Sequence, residues 1–106
     1  MKTFREYEDA AAETDIYPGS GTGSEAAINY CVAGLCEVAG KWKKYLRRDK
    51  GAMPSNMLME LGDVLWYASR LASELGSSLE DVAILNVLKL RARQFSGTIQ
   101  GDGDNR

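Results

Sequence analysis

The 106-residue chain has no histidine, only two cysteines and only two prolines. Each scarcity removes a class of function. Without histidine there is no Ser-His-Asp triad and no Cys-His dyad. Two cysteines alone cannot complete a Cys₂His₂ or Cys₄ zinc site. An excess of either charge is also missing, since 13 basic side chains stand against 15 acidic ones for a net charge of −2. Binding of a phosphate backbone demands clustered positive charge, so no nucleic-acid partner is expected. Long apolar runs are missing too. The longest uncharged stretch, Ala26 to Cys36, falls far short of the ~20 residues of a membrane span, and no membrane partner is expected. The opening MKTFREYEDAAAETD is charged throughout and has no apolar core of a secretory signal, which points to the cytoplasm. Cys31 and Cys36, five apart on one expected helix, lie too far apart to bridge and read as reduced core thiols. What survives is carboxylate chemistry: a hard cation held by Asp and Glu, with Lys and Arg for an anionic substrate.

The apolar spacing predicts an all-α bundle of about four helices and almost no strand. The whole chain, residues 1–106, reads as a single domain, with an irregular Gly-rich loop at 17–24 and an irregular tail at 96–106. Residues 2–14 form a short charged helix. In the loop that follows, Pro18 and the alternating Gly19, Gly21 and Gly23 forbid regular structure. A second helix, capped by Thr22 or Ser24 with Glu25 completing a capping box, carries the seam Ile28, Cys31, Leu35, Val38, Trp42 and Tyr45. It ends at RRDKG, where Gly51 is the stop. The third helix runs from about Ser55 to Leu75 and stops at Gly76. Ser77 and Glu80 supply a capping box for the fourth, from about Leu79 to Phe95. So short a link makes helices three and four an antiparallel hairpin. Apolar seams on three short helices predict self-association into a homodimer or homotetramer.

At about 100° per residue, Leu61, Val64, Leu65, Ala68, Leu71, Ala72 and Leu75 form one apolar arc on the third helix, expected to be its buried face. Glu60 and Asp63 adjoin at the edge of that arc. Two like charges there repel unless a cation sits between them, so the pair reads either as a solvated flank or as half of a Mg²⁺ ligand set. On the fourth helix, Asn86, Lys89 and Arg93 form a polar stripe. It can hold a phosphate chain, or it is simply a basic C-terminal half favoured by the helix dipole. The glycines of the loop are not followed by Gly-Lys-Ser/Thr, which excludes a Walker motif. Lys41, four residues after Glu37, reads as its ordinary ion-pair partner. Trp66 and Tyr67 read as core or interface aromatics, with base stacking as the alternative.

ELGDVLWY (Glu60 to Tyr67), SLEDVAILNVLKLRAR (Ser78 to Arg93) and the ending GTIQGDGDNR together resemble the MazG-like nucleoside triphosphate pyrophosphohydrolases. The resemblance continues upstream through IYPGSGTG (Ile16 to Gly23), GLC (Gly34 to Cys36) and EVAGKWKK (Glu37 to Lys44), and so covers nearly the whole chain. It implies an all-α fold and Mg²⁺-dependent cleavage (Mn²⁺ being the alternative ion) between the α and β phosphates of a nucleoside or deoxynucleoside triphosphate. The products are a nucleoside monophosphate and pyrophosphate. By the same resemblance Glu60 and Asp63 are the family's E-x-x-D metal ligands. Glu37 is the second glutamate of its E-x-x-E half-site, as metal ligand or catalytic general base, and Asn86, Lys89 and Arg93 face the phosphates. The chain departs from the family's GLxGEAGEVA by four residues between Cys36 and Glu37, so the first glutamate has no counterpart. Four residues are about one helical turn, which leaves the seam in phase to within ~40°. The alternative reading is a MazG-like nucleotide-binding module with impaired catalysis.

Overall fold

Local chemistry sets the helix ends. Thr3 caps the first helix, α1 (Phe4–Ala12), by accepting from the Glu6 amide at 3.1 Å, and Glu6 reaches back to the Lys2 amide at 3.2 Å, a reciprocal capping box. The second helix, α2 (Glu25–Arg48), opens at Ser24, whose hydroxyl accepts from the Ala27 amide at 3.2 Å. Thr22 is not the cap: its hydroxyl donates to the Gly19 carbonyl at 2.6 Å and closes the loop instead. The third helix, α3 (Met57–Glu74), closes in a Schellman turn, with the Ser77 amide on the Ala72 carbonyl at 2.8 Å and Gly76 left-handed at φ 78°. The fourth, α4 (Leu79–Ser96), is capped one residue later than expected. Ser78, not Ser77, accepts from Asp81, and Glu80 takes no part in the cap.

This is a computed structural model, and it describes residues 1–48 and 57–97; the expected stop at Gly51, the start near Ser55 and the tail from residue 98 lie outside them. Among the described residues the fold is all-α, four helices without a strand. No helix among them is long and apolar enough to cross a membrane. α2 runs unbroken through Cys36 and Glu37.

α3 is the hub. It packs mainly on α2, and also touches α1 and α4, while α1 and α4 touch each other. Tyr17, Ala27 and Cys31 are buried together, with Trp66 and Leu71 packed against them. Two polar ties fasten α1 to the hub. The buried Arg70 pairs with Asp15 at 3.2 Å and donates to the Glu8 carbonyl at 3.2 Å, and the Trp66 indole donates to Thr14 at 2.9 Å.

Two expectations about burial are corrected. Cys36 is exposed, whereas Cys31 is fully buried. Five residues turn a helix by about 140°, which carries Cys36 off the seam that Cys31 occupies. The apolar arc of α3 is also not its main packed face. Leu61, Leu65 and Leu75 are exposed, and α2 instead meets a face about a quarter turn away that includes Tyr67 and Glu60. The arc forms one wall of an open apolar groove lined by Leu58, Leu61, Gly62, Val64, Leu65 and Ala68. α4 is apolar on nearly every side and exposes Ile84, Leu85, Leu88 and Phe95, the last at 96 %.

Candidate functional site

Where α2 faces α3, a charged cluster forms at one end of the contact and a neutralised one at the other. At the first end the Lys41 ammonium on α2 straddles the carboxylate of Glu60 on α3, at 3.1 and 3.4 Å from its two oxygens. Glu60 is half-buried here while the Lys41 side chain stays 52 % exposed. The hydrogen bond to Glu60 and its charge hold the Lys41 ammonium above the usual lysine range, and Glu37 and Asp63 add to the effect. The expected partner of Lys41 is Glu37 on its own helix, yet its ion pair crosses to Glu60 on α3. Sequence spacing along one helix carries no information about that crossing.

Glu37, Glu60 and Asp63 therefore come together in the sense that the field of each reaches one ammonium. The same two outer charges act on Tyr67. Burial comes first in pushing its hydroxyl up, followed by Tyr30, Glu37 and Asp63. Tyr67 belongs to an aromatic row along the α2–α3 seam. It lies edge-on to Trp66 at 5.1 Å, and Tyr30 tilts toward it at 6.2 Å and stacks on Tyr17 at 4.9 Å.

Tyr67 also limits the residue three before Glu37 on α2, which is Gly34. A Cβ on Gly34 would meet the Tyr67 ring at 2.2 to 2.4 Å. Real Cβ atoms do not approach so closely, so no side chain fits at that register without moving the ring. Glu37 is left as the α2 carboxylate of the set.

The donor chemistry of Glu37, Glu60 and Asp63 suits a hard divalent cation: oxygen ligands from two facing helices around a position already attractive to positive charge. Their arrangement is not yet a ligand cage. Among the described residues, no group of three His, Cys, Asp or Glu side chains is placed to share an ion. The residues fit Mg²⁺ in type and need side-chain rotation to fit it in position.

The three α4 residues fall differently. Asn86 and Lys89 are exposed, and Arg93 is buried near the helix end. α4 touches α1 and α3, whereas Glu37 lies on α2 and Glu60 and Asp63 on α3. The described grooves lie elsewhere as well: one at Met1, Phe4, Tyr7 and Leu65, one along Ile84, Val87 and Leu88, and the α3 groove.

At the other end of the seam, Glu74 was not anticipated. It is buried, accepts the Tyr17 hydroxyl, and accepts the amides of Gly21 at 2.7 Å and Gly23 at 2.8 Å. Both glycines are left-handed, at φ 81° and 66°, which aims successive amides at one anion in the manner of a backbone nest. Burial pushes the Glu74 carboxyl up, but the tyrosine hydroxyl and the two amides outweigh it, with help from Arg70, and hold it below the usual carboxylate range. The Gly-rich loop thus does have an anion at its centre. It is the protein's own.

The chain is 41% identical over 109 residues to the Gene 37 protein of Mycobacterium phage L5, an alignment covering 94% of this chain and 96% of that protein. It belongs to the family of that phage protein. No family model matches the chain, and no solved structure matches it.

Proposed function

We propose that this protein is a MazG-like, Mg²⁺-dependent nucleoside triphosphate pyrophosphohydrolase that converts a nucleoside or deoxynucleoside triphosphate and water into the monophosphate and pyrophosphate. The observation that carries the reading is the Lys41–Glu60 pair across α2 and α3, with the charges of Glu37 and Asp63 adding to the field on the same ammonium. Glu74 is met by backbone amides and a tyrosine. Glu60 meets a half-exposed ammonium. A Mg²⁺ ion bound by Glu37, Glu60 and Asp63 would polarise the phosphate oxygens and supply an acidified water. Glu37, exposed on α2, would either ligate the ion or take the water's proton. Tyr30 and Tyr67 offer aromatic surface beside the carboxylates for a base. Lys89, exposed on α4, and Arg93 supply positive charge for the departing pyrophosphate in an assembled enzyme.

Assembly is part of the proposal. A helix with apolar residues on nearly every side calls for cover, and among the described residues both α4 and the α3 groove stand open. A homodimer or homotetramer provides it. A cytoplasmic setting and a role in clearing non-standard or excess nucleotides are consistent with this chemistry. A second reading, a nucleotide-binding module with little turnover, is favoured by one observation: no three-carboxylate cage is preformed among the described residues.

A panel of NTPs and dNTPs assayed with Mg²⁺ for pyrophosphate release separates the readings. Release that is lost in Glu60→Gln supports the enzyme. Nucleotide binding without release supports the module, and neither binding nor release refutes both.

A further inference from the structure

We propose that this chain forms a twofold dimer in which α4 of each copy lies in the α3 groove of the other. The contact goes beyond the hydrolase reading and stands whether or not the chain turns over nucleotides.

Two apolar strips of matching length carry it. On α3, Leu58, Leu61 and Leu65 fall within about 60° of one another around the helix, and they line an open groove of about 460 Å³. Leu58 is 83 % exposed and Leu61 61 %. Gly62 lies in the same groove, with nothing within 4 Å of where a Cβ would stand, so a second helix can approach closely there. The apolar surface continues past Leu65, which also lines a groove of about 330 Å³ with Met1, Phe4 and Tyr7. On α4, Ile84, Leu88 and Phe95 fall within about 40° of one another, with Leu85 at the edge of the strip, and all four are exposed. At 1.5 Å per residue, Leu58 to Ala68 and Ile84 to Phe95 each span about 15–17 Å.

The chain does not cover these strips itself. Both stand open although α4 packs on α3 and α1. Residues 49–56 and 98–106, which lie outside the described structure, hold only Met53 and Ile99 as large apolar side chains, too few to cover either strip. At their exposures, the leucines of the α3 strip and the four α4 side chains present roughly 800 Å², the area that each partner of a standard stable interface buries. A second copy accounts for both strips at once. A twofold axis that lays α4 of one copy along α3 of its partner lays the partner's α4 along the first copy's α3, and ridge-into-groove contact is ordinary helix packing.

The test is the mass of the full-length chain by light scattering at micromolar concentration. Wild type should run at twice the 11.6 kDa chain mass, or as an assembly of such dimers. Leu61→Glu and Leu88→Lys should each lose the dimer while keeping the helical circular dichroism, because both side chains are exposed within one chain. An equal mixture of the two variants should recover it. One of its two contacts sets the introduced carboxylate against the introduced ammonium, and the other keeps Leu61 against Leu88. Should either variant lose helix content, Leu61→Ala and Leu88→Ala replace the pair, and each should weaken the dimer at least about tenfold. Wild type at the single-chain mass overturns the proposal and leaves the strips to a different partner. A dimer that survives Leu61→Glu or Leu88→Lys overturns it too. So does loss of the dimer in both variants without recovery on mixing, the pattern of α4 packed on α4.

Discussion

Glu74 and Glu60 sit on the same helix, both facing α2 and its leading loop, and they are neutralised in opposite ways. Glu74 is enclosed by the Tyr17 hydroxyl and the amides of Gly21 and Gly23. Glu60 meets a flexible ammonium that is itself half in solvent. The first arrangement is permanent, because backbone amides cannot leave without unfolding the loop. The second is exchangeable. Two carboxylates of one helix, alike in sequence, are thus set apart by their donors. The fixed donors mark Glu74 as a structural acid, whereas the Lys41 contact of Glu60 can open without unfolding the chain.

The sharpest way to break this contrast is at the structural end. Glu74→Ala leaves two loop amides and a tyrosine hydroxyl without their acceptor, and should cost about 2–4 kcal/mol of stability by denaturant unfolding. A loss under about 0.5 kcal/mol would show that the loop is held by something else. The same acid gives a pH signature. Its folded-state pKa lies below its unfolded value, so its contribution is complete above roughly pH 4.3 and is lost as pH falls through the lower folded value. Melting temperature should drop on acidification through that window, and less so in Glu74→Gln.

Next in size is Gly34→Ala. The added methyl runs into the Tyr67 ring, an overpacking that costs about 1–3 kcal/mol, offset by up to about 1 kcal/mol of better helix propensity. The net loss should be accompanied by a change in tyrosine near-ultraviolet circular dichroism; a stabilised protein with an unchanged spectrum would contradict the packing. Smaller still for the single chain is Leu88→Glu on exposed α4. Helix content should stay the same, while the proposed oligomer, followed by light scattering, should dissociate. An unchanged particle mass would show that α4 is not the covering surface. Lys89→Ala should leave stability within about 0.5 kcal/mol, as an exposed helix position does, and weaken nucleotide binding in titration calorimetry. Arg93 is not an equivalent probe, since it is buried and its removal disturbs the helix end.

The four helices were legible because apolar spacing and turn residues are local signals, and the structure bears out the all-α class. The caps slipped by one residue, at Ser78 rather than Ser77, because neighbouring serines offer the same hydroxyl and only backbone direction chooses between them. The buried face of α3 was misjudged for a deeper reason. Leu61, Leu65 and Leu75 were taken as packing within the chain, whereas periodicity says only that a face is covered, not by what. Arg70 and Glu74 went unnoticed because charged residues count as exterior until a partner is seen, and their partners are 55 and 53 residues away. That Glu60 and Asp63 adjoin on one flank of α3 was legible from their spacing. The crossing of Lys41 to Glu60 was not, because it depends on how two helices meet.

Thermal melts of wild type, Asp63→Asn and Glu74→Gln, each with Mg²⁺ plus nucleotide and each with chelator, test the contrast most directly. Ligand at ten times its Kd stabilises the folded state by about 1.4 kcal/mol, enough to shift the melting temperature measurably. The account predicts that Asp63→Asn matches or slightly exceeds wild type in chelator and has lost the Mg²⁺ response. It predicts that Glu74→Gln melts early in chelator and keeps that response. The reverse pattern, with Asp63→Asn unstable and still responsive, or a wild type that shows no response at all, would contradict it.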